Sequence, residues 1–220
     1  MKSYRACVLL LFLGLLCGCR SEQSSAPDTN RYVSVDEIRQ SLPDTPVSVG
    51  FDVDDTLLFS SPGFYYGLHN TDGPGGANKY GQNPLRSYSF WYDMNSQFDT
   101  FSIPKLSAVA LINMHKQRGD TIYFITARQA TSNEYLTTIL TNTFNLPDNP
   151  SVIFSGSTSK AIYIKNNAIS LFYGDSDGDI SAAHDAGIRA IRVLRPVLST
   201  NARIPNPGKF NEEILAESLN

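Results

Sequence analysis

Short apolar runs with strand character alternate with helix-length segments along most of this 220-residue chain, and that alternation restricts the fold more than any other feature. Pro46 to Val53 leads into a strand, Ile103 to Arg118 reads as a helix stopped by Gly119, and Thr121 to Thr126 (TIYFIT) is a buried strand. The tetrad Thr131-Ser132-Asn133-Glu134 has the form of a capping box and opens a helix running to about Phe144. A short strand at Val152 to Ser155, a short helix at Lys160 to Asn166 and a strand at Ile169 to Gly174 (ISLFYG) follow. A helix from Asp179 to Ala186, closed by Gly187, and a strand from Arg189 to Leu194 complete the rhythm. Nearer the start, a capping box at Ser34-Val35-Asp36-Glu37 opens a helix through Leu42. Strands that are apolar through their length have both faces covered, and strands separated by helices pair in parallel. The expected fold is α/β and Rossmann-like, with a central parallel sheet of about five strands and helices on both faces.

Two segments fall outside this rhythm. Residues 60–100 are rich in Gly, Asn, Tyr and Phe without sustained periodicity, which suggests an inserted loop or small cap. At the other extreme, Met1 to Arg5 is basic and Ala6 to Leu16 is apolar but too short to span a bilayer, as in a secretory signal. Leu16-Cys17-Gly18-Cys19 resembles a bacterial lipobox, so residues 1–18 are expected to be a lipoprotein signal peptide and Cys19 a lipid-bearing N-terminus. Residues 19–30 are polar and suit a tether, leaving 31–220 as the folded domain. Cleavage would remove Lys2 and Arg5, taking the formal charge from -3 to -5, and would leave no pair of cysteines for a disulfide. The implied location is exported and periplasmic, held at a membrane through Cys19. An acidic chain with no basic stripe excludes a nucleic acid polymer as partner.

Chemistry concentrates where strands end. Asp52 and Asp54 follow the first long strand, Thr126 ends the second, and Asp175 follows ISLFYG. In a parallel sheet these positions share one rim, where ligands of such folds bind. Carboxylates crowded there repel one another unless they are protonated or a cation sits among them, and an all-oxygen ligand set suits a hard ion such as Mg²⁺. A calcium loop starting at Asp175 fails, because Ile180 stands where glycine is needed and Ala186 where a bidentate glutamate belongs.

The order Asp52-Val53-Asp54-Asp55-Thr56, Thr126, Lys160, then Gly174-Asp175-Ser176-Asp177-Gly178-Asp179 resembles the haloacid dehalogenase (HAD) superfamily of phosphohydrolases. The stretches FDVDDTLLFSSPGF, FSIPK, FYGDSDGDI and RYVSVDEI resemble the bacterial class B acid phosphatases within it, over essentially all of residues 31–220. The resemblance implies a HAD fold and a Mg²⁺-dependent hydrolase of phosphomonoesters such as nucleotides and aryl phosphates, with phosphate transfer to alcohols as a further activity. It implies Asp52 as the nucleophile that becomes an aspartyl-phosphate, and Asp54 as the general acid and base. Mg²⁺ would be held by Asp52, the backbone carbonyl of Asp54, and Asp175. Thr126, Ala127, Arg128 and Lys160 would face the phosphoryl group, with Asp179 in support. Phe64 and Trp91 match pocket positions, and a homo-oligomer, by analogy a tetramer, is implied. Thr126-Ala127-Arg128 replaces the family's usual T-G-R, and Gly178 replaces a usual asparagine. His69, His115 and His184 fit no metal spacing and read as surface or helix residues. The lipobox keeps open a class C type lipoprotein phosphatase or 5′-nucleotidase, and a non-catalytic lipid-anchored metal-binding module is the remaining alternative.

Overall fold

A computed structural model describes residues 30–147 and 150–219. The expected signal peptide, the lipobox-like stretch with Cys19 and the expected tether up to residue 29 lie outside the described residues. Among the described residues, seven strands form one parallel sheet in the order β1 (Arg31–Val33), β9 (Glu213–Leu215), β8 (Arg189–Arg192), β7 (Leu171–Gly174), β2 (Ser48–Phe51), β5 (Thr121–Thr126), β6 (Val152–Phe154). A two-stranded antiparallel flap, β3 (Leu58–Phe59) with β4 (Ile103–Pro104), stands beside it.

Alternation along the strands sorts two cores onto the two faces. Phe51, Phe124 and Tyr173 point to one face and pack with Ile38 of α1 (Val35–Ser41), with Leu111 and Ile112 of α4 (Leu106–Arg118), and with Leu140 of α5 (Leu136–Phe144). Ile125 and Phe172 point to the other, against Ile164 of α6 (Lys160–Asn166) and Ile180 of α7 (Asp177–Asp185). Gly50 of β2 is required by this packing, since a Cβ there would stand 2.6 Å from the ring of Phe172. Helix ends follow local chemistry. Ser34 and Glu37 close the capping box of α1, and α4 stops at Gly119, whose φ of 73° is the left-handed conformation glycine adopts freely.

The sheet has two more strands than the sequence pattern suggested. β1 and β9 are three residues each, too short to show a period, and they hold the edge through direct pairing and the ion pair of Arg31 with Glu213 at 3.0 Å. Two other expectations need correcting. Thr131 to Glu134 forms no capping box; α5 starts at Leu136, and Glu134 instead accepts the N–H of Thr137 at 2.9 Å. The helix before Gly119 begins at Leu106 because Ile103 and Pro104 are taken into the flap.

The insert is more ordered than its composition suggested. It carries α2 (Ser61–Leu68), α3 (Tyr88–Ser96) and three short 3-10 turns, the last at Phe98–Phe101. Tyr80, Phe90, Met94 and Phe98 form a small core of its own, against which Phe64, Leu68 and Trp91 pack.

Candidate active site

Because the main sheet is parallel throughout, the carboxyl ends of β7, β2 and β5 lie side by side. From β2 the chain passes through the insert to β5 and β6 on one side, then returns through α6 to β7 on the other, so the strand order reverses beside β2. Crevices at such reversals are where α/β sheets bind ligands. Asp52, Thr126 and Asp175 follow or end these three strands, and all three are buried.

Beyond β2 the backbone folds sharply. The N–H groups of Leu57 and Leu58 both donate to the Val53 carbonyl, at 2.9 and 3.0 Å, and Asp55 takes a positive φ of 62°. Asp52 anchors the start of this turn by donating its N–H to the Tyr173 carbonyl. Its carboxylate accepts from Thr56 Oγ1 at 2.9 Å and from Lys160 Nζ at 2.5 Å.

Lys160 is the first residue of α6, so its side chain leaves a helix start that faces the same rim. Its Nζ also donates to Asp179 Oδ1 at 2.7 Å, bridging the two aspartates. Asp179 in turn closes the capping box of α7, accepting from the N–H and hydroxyl of Ser176. Gly174 makes room for it: a Cβ there would lie 2.2 Å from Asp179 Cβ. Asp175 accepts from Arg195 Nε at 2.5 Å.

Asp52, Asp175 and Asp179 each offer an oxygen within 4.8 Å of the others, all three residues being buried. Burial is the main cause that drives the Asp52 carboxyl well above the ordinary aspartate range; Asp179, Asp175 and Asp54 add to it, and Lys160 opposes them. Asp175 is pushed up to about 7, by burial first and by Asp179 next, against the pull of Arg195. Burial would lower the Lys160 ammonium, but the charges of Asp179 and Asp52 outweigh it and raise it. The donor set is hard oxygen, compact and electrostatically uncomfortable, which is the environment a divalent cation relieves.

Asp54 is handled differently. Its two oxygens accept from Arg128 Nη2 at 2.6 Å and Nε at 2.9 Å. Burial alone would raise this carboxyl, yet the Arg128 charge and hydrogen bonds prevail and lower it. Thr126 Oγ1 stands 3.4 Å from Asp54 and accepts the Arg128 N–H at 3.3 Å, so the TAR turn is tied to the DVDDT turn. Ala127 is exposed at the surface of two adjoining cavities. The first, of about 790 Å³, is lined by Lys160, Asp179, Arg203 and the hydroxyls of residues 155–159. The second, of about 410 Å³ and mainly apolar, is lined by Asp54, Phe64, Leu68, Leu85, Trp91 and Arg128. In it Phe64 and Trp91 meet edge to face with centroids 6.0 Å apart.

Of the ten residues singled out from the sequence, eight therefore sit at one rim, and Phe64 and Trp91 of the insert line a cavity beside it with Asp54 and Arg128. Four others that support the site were not singled out. Arg195 holds Asp175, and Lys105 of the FSIPK stretch donates to the carbonyls of Asp55 and Leu194 at 2.9 and 2.6 Å. Asn95 and Asp99 of the insert bind Arg128. None belongs to a short motif that names its partner; only the three-dimensional pairing reveals it. His115 lies on α4 as a helix residue, but fully buried, with its ring nitrogens 2.7 Å from Asp120 and 2.9 Å from the Tyr173 hydroxyl.

Comparison with known proteins bears on this arrangement. Residues 20–207 match the family described as HAD superfamily, subfamily IIIB (Acid phosphatase). The class B acid phosphatase of Salmonella arizonae is 46% identical over 195 residues, spanning 85% of this chain and 79% of that protein. Its counterpart from Xenorhabdus bovienii is 40% identical over 208 residues, 91% of this chain and 85% of the relative. Among solved structures, a predicted phosphoglycolate phosphatase from Haemophilus somnus 129pt superposes with a TM-score of 0.52 at 16% identity, covering 81% of this chain and 96% of the other, which bears on the fold alone. With a family match over residues 20–207 and relatives this similar along most of their length, the chain belongs to HAD subfamily IIIB, the class B acid phosphatases.

Proposed function

We propose that this phosphoric monoester hydrolase works through a covalent phosphoryl group on Asp52. The observation that carries the reading is the convergence of Asp52, Asp175 and Asp179 within 4.8 Å, with Lys160 bridging two of them and Asp54 beside them. An Asp52 oxygen attacks phosphorus as the bond to the leaving oxygen breaks, and Asp54 donates a proton to that oxygen. Water then attacks the aspartyl-phosphate, Asp54 takes the proton back, and inorganic phosphate leaves with Asp52 regenerated. Lys160 and Thr126 neutralise and orient phosphoryl oxygens, and Asp179 keeps Lys160 aimed at them. The Arg128 pair favours the base form of Asp54, so the donor form needs an acidic medium, in keeping with an acid phosphatase.

The donor set fits Mg²⁺, with Asp52, the Asp54 backbone carbonyl and Asp175 as its holders. Once bound, the ion would offset the carboxylate charge that repels a phosphate dianion. Asp179 lies in the same cluster, but its oxygens are engaged by Lys160 and Ser176, which suits a supporting role.

Phe64 and Trp91 line an apolar cavity that opens on Asp54, so leaving groups with a flat ring, nucleosides and aryl alcohols, are the substrates we assign. Transfer of the phosphoryl group to an alcohol in place of water uses the same intermediate. Export to the periplasm with a lipid on Cys19, and assembly into a homo-oligomer, complete the proposal; both rest on the sequence reading alone.

The test is Asp52→Asn assayed with p-nitrophenyl phosphate. Loss of turnover by more than about 10³-fold is expected, and near-normal turnover would remove Asp52 from the role. A wild-type protein with no turnover would instead favour the non-catalytic metal-binding reading.

A further inference from the structure

The guanidinium of Arg128 has five N–H groups, and the protein takes all of them. Nε and one Nη2 proton go to Asp54, at 2.9 and 2.6 Å. The other Nη2 proton goes to Asp99 Oδ1 at 2.8 Å, and Nη1 serves Asp99 Oδ2 at 2.6 Å and Asn95 Oδ1 at 3.3 Å. The side chain is 1% exposed, and Phe64 covers it with its ring centroid 5.4 Å from Cζ. A guanidinium so saturated has no donor left for a phosphoryl oxygen. Each of its planar forks instead meets a carboxylate in bidentate geometry, one from the core and one from the insert.

Asp99 and Asn95 are themselves fixed. Asp99 sits on the 3-10 turn Phe98–Phe101 and Asn95 on α3, both fully or almost fully buried. Asn95 Nδ2 donates to the Gln129 carbonyl at 3.0 Å and lies 3.2 Å from Thr131 Oγ1, while its own carbonyl accepts from the Tyr135 N–H at 2.7 Å. The insert thus grips both Arg128 and the backbone that follows it.

We propose that Asp99 and Asn95 are positioning residues, which hold Arg128 as a clamp on Asp54, so that the insert sets the aim of the residue that handles the leaving-group proton. This rests on the reading of Asp54 as general acid given above. It departs from what the family resemblance implies, that Arg128 faces the phosphoryl group: here the arginine serves Asp54 and leaves the phosphoryl oxygens to Thr126 and Lys160.

Leaving groups of different basicity separate the two roles. p-Nitrophenolate departs with little help from a proton, whereas an alkoxide requires one. Values of kcat/KM for p-nitrophenyl phosphate and glycerol 2-phosphate, with the competitive inhibition constant of inorganic phosphate, are to be measured for wild type and Asp99→Asn. The proposal expects the ratio of the alkyl to the aryl rate constant to fall by about 10-fold or more in the variant, with phosphate inhibition within about twofold of wild type. Equal losses on both substrates, or phosphate binding weakened in step with kcat/KM, would overturn it and return Arg128 to the phosphate. Should Asp99→Asn fail to fold, as judged by its unfolding transition, Arg128→Lys carries the same comparison, because an ammonium keeps the charge but cannot fork between two carboxylates. Wild-type protein inactive on both substrates would sink the phosphatase reading and this inference together; activity with an unchanged ratio sinks this inference alone.

Discussion

Gly174 shows how tightly single residues are committed at this rim. The space its missing side chain leaves is filled by Asp179, which simultaneously caps α7 and steers Lys160. Gly174→Ala should force Asp179 aside, costing about 1–3 kcal/mol of stability by overpacking and reducing activity further than stability alone would explain. Urea unfolding and turnover measured on the same preparation test this; an unchanged denaturation midpoint with full activity would show that the backbone yields. Asp52, Asp54, Thr126 and Asp175 were legible in the sequence because they follow or end strands where a regular pattern stops, and the family resemblance added Lys160 and Asp179. Asn95, Asp99 and Arg195 were not, since their partners lie 20 or more positions away along the chain and a polar residue in an insert or loop carries no mark of what it will touch.

At the level of elements, the central strands and the helices α4, α6 and α7 could be read from apolar periodicity and helix-end signals, whereas β1, β9 and the helices of the insert could not. Three-residue strands have no period to detect, and the insert places aromatics on both sides of short helices because it packs around its own core. One joint between elements makes a pH prediction. His115 of α4 bridges Asp120, just before β5, and Tyr173 of β7, entirely out of solvent. Burial lowers its imidazole below 6.5, with Asp120 opposing only in part. The unfolded chain therefore takes up a proton near pH 6.5 that the folded state refuses. The contribution of His115 is complete above that pH and declines as pH falls, by up to about 1.4 kcal/mol per unit, until the folded pKa is reached. Asp175, raised to about 7 in the fold, works in the opposite direction, so the informative quantity is the difference between wild type and His115→Gln. Chemical denaturation of metal-free protein between pH 7 and about 5 should show wild type losing stability relative to the variant; parallel curves would mean that His115 is protonated in the fold.

For the molecule as a whole, the acidic centre lies where the sheet, α6, α7 and the turn after β2 meet, so a cation bound there would join elements that are distant in sequence. Mg²⁺ at about 100 times its dissociation constant should stabilise the fold by about 2.7 kcal/mol, and thorough chelation should abolish turnover until Mg²⁺ is returned. In Asp175→Asn the upward shift of the melting temperature with Mg²⁺ should vanish; a shift that persists would place the ion elsewhere. Beneath these effects lies the claim that phosphate passes through Asp52. Its most direct measurement is mass spectrometry of wild-type protein quenched in acid during turnover of p-nitrophenyl phosphate, with the borohydride-reduced protein digested and sequenced. Reduction is expected to mark Asp52, and only when substrate was present. An unmarked Asp52 beside a stable phosphoryl group on a serine, threonine or histidine would contradict it.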